Sequence, residues 1–351
     1  MINMSFYKTL ITWYLQNKRD LPWRKSTNPY PVWLSEIMLQ QTRVAQGMPY
    51  FFKFIEAFPT VQHLADAPEE QVLKLWQGLG YYSRARNLHT TAKYIAYDLK
   101  SNFPPDYNGL LKLKGVGDYT AAAIASICYG EAVPVVDGNV YRVLSRFFGV
   151  DTDISSGRAK KEFTDLAAKH LPKNDAGTFN QAMMEFGALQ CVPKKPDCIN
   201  CVLNAECVAY NTGKVHELPV KLKKTKVADR YFNYLVVNDK SGNYLMQKRT
   251  AKGIWHNLYE FPLLETEGES DTESTIRLIE NFGQLPFKIN AIELLTPDKI
   301  IHKLSHQHLH IKFWQISTDM DLPDAVSLKV LKTYPVPVVI HNFIENNWSD
   351  D

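Results

Sequence analysis

Cysteine is scarce in this chain and unevenly distributed. The 351 residues include five, and four of these lie between residues 191 and 207. The N-terminal stretch has no signal-peptide pattern, and no apolar run is long enough to cross a bilayer. These absences predict a cytoplasmic protein that acts away from membranes. Because disulfides are rare in the cytoplasm, metal binding explains the clustered cysteines better than disulfides do.

A strong charge of either sign is also missing. Forty basic residues against 37 acidic ones give a formal net charge of +3 and a pI near 8.4. This balance permits nucleic acid binding but does not by itself predict it. Apolar residues make up 45% of the chain and aromatic residues 12%, which excludes wholesale disorder. The length favours two domains.

The character of the sequence changes after the cysteines. Residues 1–210 carry apolar side chains at the three- and four-residue spacing of helices. Residues 211–229 are rich in lysine and are interpreted as a linker. Residues 230–351 mix helical and alternating patterns, which predicts an α+β domain behind a mainly α domain. The elements predicted there are a hairpin around the turn at 240–243, a helix over 270–283 and a strand over 309–317.

The four clustered cysteines occur in CVPKKPDCINCVLNAEC, separated by six, two and five residues. Four thiolates bind either zinc or an iron–sulfur cluster. A zinc ribbon usually presents two CxxC pairs, whereas here only Cys198 and Cys201 form one. Spacing alone leaves both metals open.

The stretch LKLKGVGDYTAAAIAS predicts a helix–hairpin–helix over residues 107–130. Gly115 and Gly117 allow the backbone of the hairpin to approach a ligand closely. The start of the second helix directs N–H groups outward, which suits a phosphate. Such contacts position a DNA duplex without reading its bases. An ordinary tight connection between packed helices gives the same pattern, so both interpretations stay open.

Two carboxyl groups far apart in the sequence form a candidate pair. Glu36 lies beside apolar residues in the helical stretch YPVWLSEIMLQQTRV, where burial raises a carboxyl pKa and favours a proton donor. Asp137 precedes a helix in VPVVDGNVYRVL, where the helix dipole favours its ionised form. Taken singly, each has an ordinary explanation that the sequence favours: a solvated helix glutamate for Glu36 and a helix N-cap for Asp137. Together they provide the protonated and the ionised carboxyl group that cleave a glycosidic bond.

A third stretch, GLGYYSRARNLH, combines glycine, tyrosine and arginine. Tyrosines beside basic residues stack on DNA bases or wedge between them, while arginines hold phosphates. A helix start with a solvated basic face is the alternative interpretation.

In this order, the motifs resemble the adenine DNA glycosylase (MutY) family of the endonuclease III superfamily. The resemblance spans nearly the whole chain and is densest in WLSEIMLQQT, GLGYYSRARNLH, LKGVGDYTAAAIAS, PVVDGNVYRV, FNQAMMEFGA and the cysteine run. It implies a helix–hairpin–helix DNA glycosylase domain, a six-helix barrel with an iron–sulfur module, followed by a MutT/Nudix-like domain that recognises 8-oxoguanine. It also implies a [4Fe–4S] cluster held by Cys191, Cys198, Cys201 and Cys207.

Catalytic roles follow from the same resemblance. Glu36 matches the acid that protonates adenine at N7 and later helps to activate water. Asp137 matches the carboxylate that stabilises the developing oxocarbenium ion, through a covalent sugar intermediate. Tyr119 and Asn139 match residues that support these two.

The remaining matches concern recognition of the DNA. Arg24 and Gln181 match positions of the adenine pocket, which receives a base extruded from the duplex. The matches for residues that intercalate beside the opposing 8-oxoguanine, or touch it, are Gln41, Thr42, Leu79 and Tyr81. The family's Phe-Ser-His loop, which probes 8-oxoguanine, corresponds to Leu304, Ser305 and His306, with leucine in place of the aromatic ring. The implied partner is double-stranded DNA with 8-oxoguanine:adenine or guanine:adenine mispairs, bound by a monomer in the bacterial cytoplasm, on the nucleoid.

Tyr119 separates this chain from bifunctional relatives. Endonuclease III-like enzymes carry a lysine at this position, which forms a Schiff base and cleaves the strand, and a phenol cannot form that imine. A monofunctional glycosylase is therefore predicted over an endonuclease III-like lyase. Two further alternatives are a non-catalytic helix–hairpin–helix DNA-binding protein and a nucleotide pyrophosphohydrolase. The helix over 270–283 lacks the paired glutamates that such hydrolysis needs beside Glu280. A weak metal site is a minor alternative for HKLSHQHLH.

Overall fold

The structure is a computed structural model that describes residues 4–222, 226–283, 285, 287–298 and 300–348. The chain divides into two compact units. The helical unit comprises Met1–Asp66 and Asn87–Lys223, and the mixed unit comprises Ala67–Arg86 and Lys224–Asp351. Residues 67–86 thus join the mixed unit, although their helical pattern placed them with residues 1–210. None of the described helices is both long and apolar enough to span a membrane.

All the regular secondary structure described in residues 4–211 is helical, as the apolar spacing predicts. The helices described there are α1 (Met4–Asn17), α2 (Pro29–Leu39), α3 (Val44–Ala57), α4 (Val61–Asp66), α5 (Glu69–Leu75), α6 (Ser83–Lys93), α7 (Tyr107–Leu111), α8 (Asp118–Tyr129), α9 (Gly138–Phe148), α10 (Ala159–His170), α11 (Ala176–Leu189) and α12 (Val208–Asn211). A π-helical stretch, Tyr94–Asp98, continues α6.

Short-range signals set several helix ends. The side chains of Asn28, Asp106 and Asp137 accept backbone hydrogen bonds at the starts of α2, α7 and α9. Gly130 and Gly149 end α8 and α9 in the left-handed region, at φ 71° and 72°. These caps fix the ends of α2, α8 and α9, the helices that position the candidate site.

Helix α2 ends earlier than the sequence pattern predicts. The stretch from Tyr30 to Val44 was expected to be helical throughout, but α2 ends at Leu39. Gln41 adopts φ 56°, which turns the chain before α3 begins at Val44. Apolar spacing could not reveal this turn, because Gln41 is not a residue type that marks a left-handed conformation.

One core of the helical unit lies where α1, α9, α10 and α11 meet. It buries Phe6, Leu10, Val143, Phe163 and Phe179. Three of the clustered cysteines are partly buried against this same core. Packing of α9 and α11 therefore positions both the start of α9 and the cysteine loop.

The mixed unit is built on a seven-stranded sheet within its described residues. Its path order is β6-β8-β1-β2-β9; β5 also pairs with β1, and β7 also pairs with β8. The strands are β1 (Ala228–Asn238), β2 (Tyr244–Leu245), β3 (Gln247–Lys248), β4 (Tyr259–Glu260), β5 (Leu263–Thr266), β6 (Ala291–Leu294), β7 (Ile300–Lys303), β8 (Gln307–Ser317) and β9 (Ala325–Val326), with β3 and β4 forming a separate pair. The helices are α13 (Thr272–Glu280), α14 (Leu328–Leu331) and α15 (Val338–Asn347).

The elements predicted for this region are confirmed. Strands β1 and β2 form the hairpin, in which Asn238 pairs with Tyr244. Helix α13 begins after Asp271, whose side chain caps it, and β8 covers the predicted strand. The central pair, β1 and β8, is parallel, with Phe232 opposite Ile311.

A buried polar group lies inside the mixed unit as well. Glu260 is almost fully buried and accepts hydrogen bonds from the Tyr234 hydroxyl (3.2 Å) and from Arg249 Nη1 (2.8 Å). Burial raises the pKa of Glu260, and the neighbouring Arg249 charge opposes the rise. Because its charge is paired, this glutamate has the character of a structural ion pair.

Candidate active site

Glu36, near the end of α2, is 8% exposed. The Tyr119 hydroxyl donates a hydrogen bond of 2.6 Å to Glu36 Oε2. Burial raises the pKa of Glu36 to about 7; the Tyr119 hydrogen bond opposes this rise, and the nearby Asp137 charge adds to it. Glu36 therefore retains its proton close to neutral pH, as a general acid must.

Asp137 caps the start of α9. Its Oδ1 accepts hydrogen bonds from the backbone N–H groups of Asn139 (2.9 Å) and Val140 (2.8 Å). Its Oδ2 accepts a third from the Asn139 side-chain amide (2.7 Å). Burial raises the pKa of Asp137, and these three hydrogen bonds oppose the rise because they favour the ionised form. The N-cap interpretation holds, and it is compatible with a catalytic carboxylate.

The two carboxyl groups are close enough to affect each other, and they are held differently. Glu36 accepts a single phenolic O–H, whereas Asp137 accepts three N–H donors at a helix N-terminus. Since N–H donors and the helix dipole stabilise a carboxylate, Asp137 loses its proton first. The structure thus brings Glu36, Tyr119, Asp137 and Asn139 into one site, in which the hydrogen bonds favour ionisation of Asp137 over that of Glu36.

Arg142, on α9, connects this site to the cysteine loop. Its Nη2 donates to Asn139 Oδ1 (2.8 Å) and to Gly187 O (2.6 Å), and its Nε donates to Cys191 O (2.7 Å). A Cβ on Gly187 would come within 2.6 Å of Asn139 Cβ, so glycine permits the close approach of α11 to α9. Sequence reasoning missed Arg142, although it lies three residues after Asn139, on the same helix face.

Arg24 and Gln181 line one open cleft of the helical unit, of about 620 Å³. Arg24 Nη2 donates to Glu185 Oε2 at 2.8 Å, and the Tyr14 hydroxyl donates to Gln181 Oε1 at 3.1 Å. The Arg24 charge also lowers the pKa of Glu36, so this arginine lies near the carboxyl pair. The two predicted pocket residues therefore share a cleft, and the charge of one of them acts on Glu36.

Glu185 is a second residue that sequence reasoning missed. Burial alone would raise its pKa, but hydrogen bonds from Arg19 and Arg24 lower the pKa of Glu185 to about 2. The Arg19 guanidinium contacts both carboxylate oxygens, at 2.9 and 2.6 Å. The resulting ion pairs hold Arg24 at the cleft. The only signal in the sequence was its place in FNQAMMEFGA.

The clustered cysteines line a single cavity of the helical unit, which contains Cys191, Cys198, Cys201 and Cys207. Arg146 Nη1 lies 3.5 Å from Cys191 Sγ, and backbone N–H groups of Leu203 and Tyr210 donate to the sulfurs of Cys201 and Cys207. Within the described ranges, no group of three or more His, Cys, Asp or Glu side chains is positioned to hold a metal ion. Four thiols around one cavity, with N–H groups directed at their sulfurs, fit an iron–sulfur cluster.

The helix–hairpin–helix forms as predicted, from α7, a hairpin and α8. Gly115 adopts φ 80°, and a Cβ there would come within 2.7 Å of Asn87 Cβ. Gly117 is the extended N-cap residue of α8, where a Cβ would meet open space. Gly115 therefore allows the tight hairpin, and Gly117 leaves the start of α8 accessible to a phosphate.

Two of the predicted DNA-contacting residues lie in the turn between α2 and α3. Gln41 is exposed and adopts the left-handed conformation described above. The Thr42 hydroxyl donates a long hydrogen bond, 3.4 Å, to Gln40 O. Both residues belong to the helical unit.

The other predicted DNA-contacting residues belong to the mixed unit. Tyr81 is 42% exposed, at φ 48°, whereas Leu79 is only 3% exposed and packs inside. Ser305 and His306 form the exposed tip of the turn between β7 and β8, which is closed by a backbone hydrogen bond from Leu304 (2.8 Å). The residues predicted to contact the opposite base are thus divided between the two units, whereas the carboxyl pair lies in the helical unit.

Comparison with known protein families separates the chain at a similar place. Residues 34–169 match the family described as HhH-GPD superfamily base excision DNA repair protein. Residues 233–346 match the NUDIX domain family. The helix–hairpin–helix and both candidate carboxyl groups lie within the first match.

Curated proteins resemble the chain over most of its length. The adenine DNA glycosylase of Buchnera aphidicola subsp. Schizaphis graminum is 36% identical over 311 residues, covering 87% of this chain and 86% of that protein. The adenine DNA glycosylase of Homo sapiens is 44% identical over 372 aligned residues, covering 91% and 68%. Among solved structures, a thermostable thymine-DNA glycosylase superposes with a TM-score of 0.55 at 29% identity, over 59% of this chain and 95% of its own. An endonuclease III–DNA complex shares the fold, with a TM-score of 0.52 at 22% identity, over 61% of this chain and 99% of its own.

Proposed function

The chain belongs to the adenine DNA glycosylase family, and from that premise we propose that it removes adenine paired with 8-oxoguanine, and also with guanine, from double-stranded DNA. Membership makes it a hydrolase of N-glycosyl bonds. The observation that carries the proposal is the pair formed within one site by Glu36, which is buried with a raised pKa, and Asp137, which accepts hydrogen bonds from N–H groups at the start of α9.

The reaction begins with adenine extruded from the duplex into the cleft lined by Arg24 and Gln181. Glu36 donates its proton to N7, which makes adenine a neutral leaving group as the glycosidic bond breaks. Asp137 stabilises the positive charge that develops at the sugar and bonds to it until water replaces the bond. Glu36, now ionised, accepts the proton from that water. The product is an abasic site.

Tyr119 makes the reaction monofunctional. Its hydroxyl donates to Glu36, which keeps the acid oriented, and it offers no amine for a Schiff base with the sugar. Asn139 orients Asp137 through its side-chain amide. We therefore assign base removal without strand cleavage.

Recognition of the opposite base is assigned to residues outside the carboxyl site. Tyr81 inserts beside the lesion, with Gln41 and Thr42 on the other unit, and Leu79 supports the turn that carries Tyr81. Leu304, Ser305 and His306 form the tip that contacts 8-oxoguanine, and the Ser305 hydroxyl hydrogen-bonds the purine edge. Gly115 and Gly117 place the hairpin against the DNA backbone, where it positions the duplex without reading sequence.

We assign a [4Fe–4S] cluster to the four cysteines, as the donor set described above supports. When bound, the cluster supplies a rigid cross-link of its loop. Arg146 and Arg142 hold this loop from α9 through Cys191, so the loop and the carboxyl site share one support. We also propose that the enzyme acts as a monomer on the nucleoid of the bacterial cytoplasm, as the family resemblance implies.

A single-turnover assay tests the proposed function. Duplexes with 8-oxoguanine:adenine, guanine:adenine and 8-oxoguanine:cytosine are incubated with excess protein, and alkali then cleaves any abasic sites. We expect adenine loss to be fastest from the first duplex, slower from the second and absent from the third. Borohydride trapping should give far less covalent adduct than an endonuclease III-like lyase control. Equal adduct formation would favour the lyase, and no base release from any duplex would favour a DNA-binding protein.

A further inference from the structure

Residues 67–86 lie within the family match of the helical unit, yet they are part of the mixed unit. They comprise α5, the start of α6 and, between them, the turn that presents Tyr81. We call residues 76–82 the wedge turn. The contacts that fix the wedge turn to the part of the same unit after residue 224 have no role in the chemistry described above.

Lys74, at the end of α5, makes the central contact. Its ammonium donates to Lys332 O at 2.7 Å and to Tyr334 O at 2.9 Å. Both carbonyls follow the C-terminal end of α14, where carbonyl groups carry partial negative charge. Lys74 is half-buried, and burial lowers the pKa of its ammonium group. A charged donor with two carbonyl acceptors is a strong attachment.

The wedge turn itself continues this contact. Gln77 Oε1 accepts a hydrogen bond from Val336 N at 3.1 Å. The Tyr82 hydroxyl lies 3.4 Å from Val336 O, to which it donates, and accepts from Gly78 N at 3.3 Å. One segment, residues 332–336, therefore holds both α5 and the wedge turn.

A second set of contacts is made by the start of α5 and by α6. Asn257 donates to Glu69 Oε1 at 2.6 Å, and the Tyr259 hydroxyl donates to Glu70 Oε1 at 2.8 Å. Arg86 Nη1 donates to His256 O at 2.7 Å. Residues 69–86 therefore contact both residues 256–259 and the segment 332–336.

Contacts inside the wedge turn set the orientation of Tyr81. Trp76 Nε1 and Arg84 Nη2 both donate to Gly80 O, each at 3.0 Å. The Arg84 guanidinium also lies over the rings of Trp76 and Tyr81, at 5.2 and 5.5 Å from their centroids. The exposed Tyr81 ring therefore projects from a turn that is already ordered.

The loop at residues 255–257, which contacts Glu69 and Arg86, also contacts β7, the strand that leads to the tip at Ser305. Trp255 is 7% exposed, adopts φ 59°, and its ring lies 5.8 Å from that of His302. His302 is on β7, two residues before Leu304. A series of contacts therefore leads from Arg86 on α6, through residues 255–257, to His302 on β7, the strand that precedes the tip at Ser305.

We propose that Lys74 is a positioning residue that fixes the wedge turn to the segment 332–336, so that Tyr81 and the tip at Ser305 engage the duplex as one rigid body. Contact of the tip with 8-oxoguanine then favours Tyr81 insertion, because neither element can move without the other. This inference rests on the proposed function, since it assumes that Tyr81 enters the duplex.

The test compares Lys74→Met with Lys240→Met, which removes an exposed lysine of the same unit. Met keeps the aliphatic length of Lys74 but donates no hydrogen bonds. Two quantities are measured: the ratio of single-turnover rates on 8-oxoguanine:adenine and guanine:adenine duplexes, and the fluorescence of 2-aminopurine placed next to 8-oxoguanine, which rises when a wedge unstacks it. For Lys74→Met we expect the ratio to fall about tenfold and the fluorescence rise to be lost, whereas Lys240→Met should match the wild type.

Two outcomes would overturn the inference. One is a wild-type ratio and fluorescence rise in Lys74→Met; if Ser305→Ala lowers the ratio in the same experiment, the proposed function survives and only the role of Lys74 is lost. If the wild type shows no preference for 8-oxoguanine, the proposed specificity fails, and fluorescence on binding still decides whether Lys74 governs insertion.

If circular dichroism shows that Lys74→Met does not fold, Tyr82→Phe replaces it. An unchanged fluorescence rise in Tyr82→Phe is the second overturning outcome.

Discussion

Each unit buries a glutamate against a buried tyrosine hydroxyl, and the two glutamates have different neighbours. In the mixed unit, Glu260 accepts from Tyr234 and is ion-paired with Arg249. In the helical unit, Glu36 accepts from Tyr119, and among the described residues no cation lies within ion-pair distance of it. Burial raises the pKa of both, but only Glu36 reaches about 7. A buried acid becomes a proton donor when its charge has no partner.

Glu185 extends the same comparison. It is as deeply buried as Glu260, and two arginines lower its pKa to about 2. Paired carboxylates therefore serve the architecture, while the unpaired one is available for chemistry. The free energy that an ion pair would contribute at Glu36 is given up there, as expected of a functional site.

The largest effect should come from Glu36→Gln. Glutamine keeps the shape and can still accept from Tyr119, but it has no proton to donate to adenine. We expect the single-turnover rate on 8-oxoguanine:adenine duplex to fall about a thousandfold or more, with mispair binding retained. Glu56→Gln, an exposed glutamate on α3, is the matched control and should keep the wild-type rate. A fully active Glu36→Gln enzyme would remove Glu36 from the acid role.

Asp137→Asn separates the charge of this residue from its capping function. Asparagine is a good N-cap, so α9 should remain intact while the negative charge is lost. We expect a rate loss of about a hundredfold to a thousandfold at unchanged mispair affinity. Asp271→Asn makes the same change at the N-cap of α13 and should have no effect on the rate. Comparable rates for the two variants would contradict the role of Asp137.

Glu260→Gln should reduce the stability of the protein and leave its reaction rate unchanged. It leaves the buried Arg249 charge without its carboxylate, which we expect to reduce the free energy of unfolding by about 2–4 kcal/mol. The rate on guanine:adenine duplex should not change. In Glu265→Gln, where the partially exposed pair with Arg230 is removed, the loss should stay below about 1 kcal/mol. Urea titrations of both variants measure the difference. If Glu260→Gln were the inactive variant and stable, the comparison between the two glutamates would fail.

The stability of Glu36→Gln should depend on pH in a defined direction. The pKa of Glu36 rises from an ordinary 4.5 to about 7 on folding, so the folded wild type binds a proton that the unfolded chain has lost between these values. Wild-type stability therefore falls as pH rises from 4.5 to 7, and the uncharged variant escapes this loss. We expect the variant to gain about 2–3 kcal/mol relative to wild type at pH 8 compared with pH 4.5. If the variant and the wild type differed in free energy of unfolding by the same amount at both pH values, folding would not raise the pKa of Glu36.

The smallest effect concerns the tip of the mixed unit. Ser305→Ala removes the hydroxyl assigned to the purine edge but leaves the carboxyl site untouched. We expect the preference for 8-oxoguanine over guanine opposite adenine to fall about three- to tenfold, through the loss of one hydrogen bond. Ser241→Ala, in the exposed hairpin turn, should preserve the preference. An unchanged ratio in Ser305→Ala would remove this residue from the recognition set.

Local signals in the sequence predicted much of the fold. Caps such as Asp137, glycines such as Gly115 and apolar spacing act over a few residues, and the helices and strands they indicate are present. The carboxyl pair was also predictable, because each residue occurs in a motif. Long-range partners were not: Arg142 and Glu185 are assigned only when α9 and α11 are packed together. The partners of Lys74 lie more than 250 positions along the chain, and no local pattern records such a contact.

The interleaved make-up of the mixed unit has a consequence for how the molecule can be divided. Its two stretches, 67–86 and the region after 224, lie on opposite sides of most of the helical unit in the primary structure. A single cut of the polypeptide cannot release two intact halves, because an N-terminal fragment would separate Glu69, Lys74 and Gln77 from their hydrogen-bond partners after residue 224. Inheritance of the two halves by separate genes would meet the same obstacle.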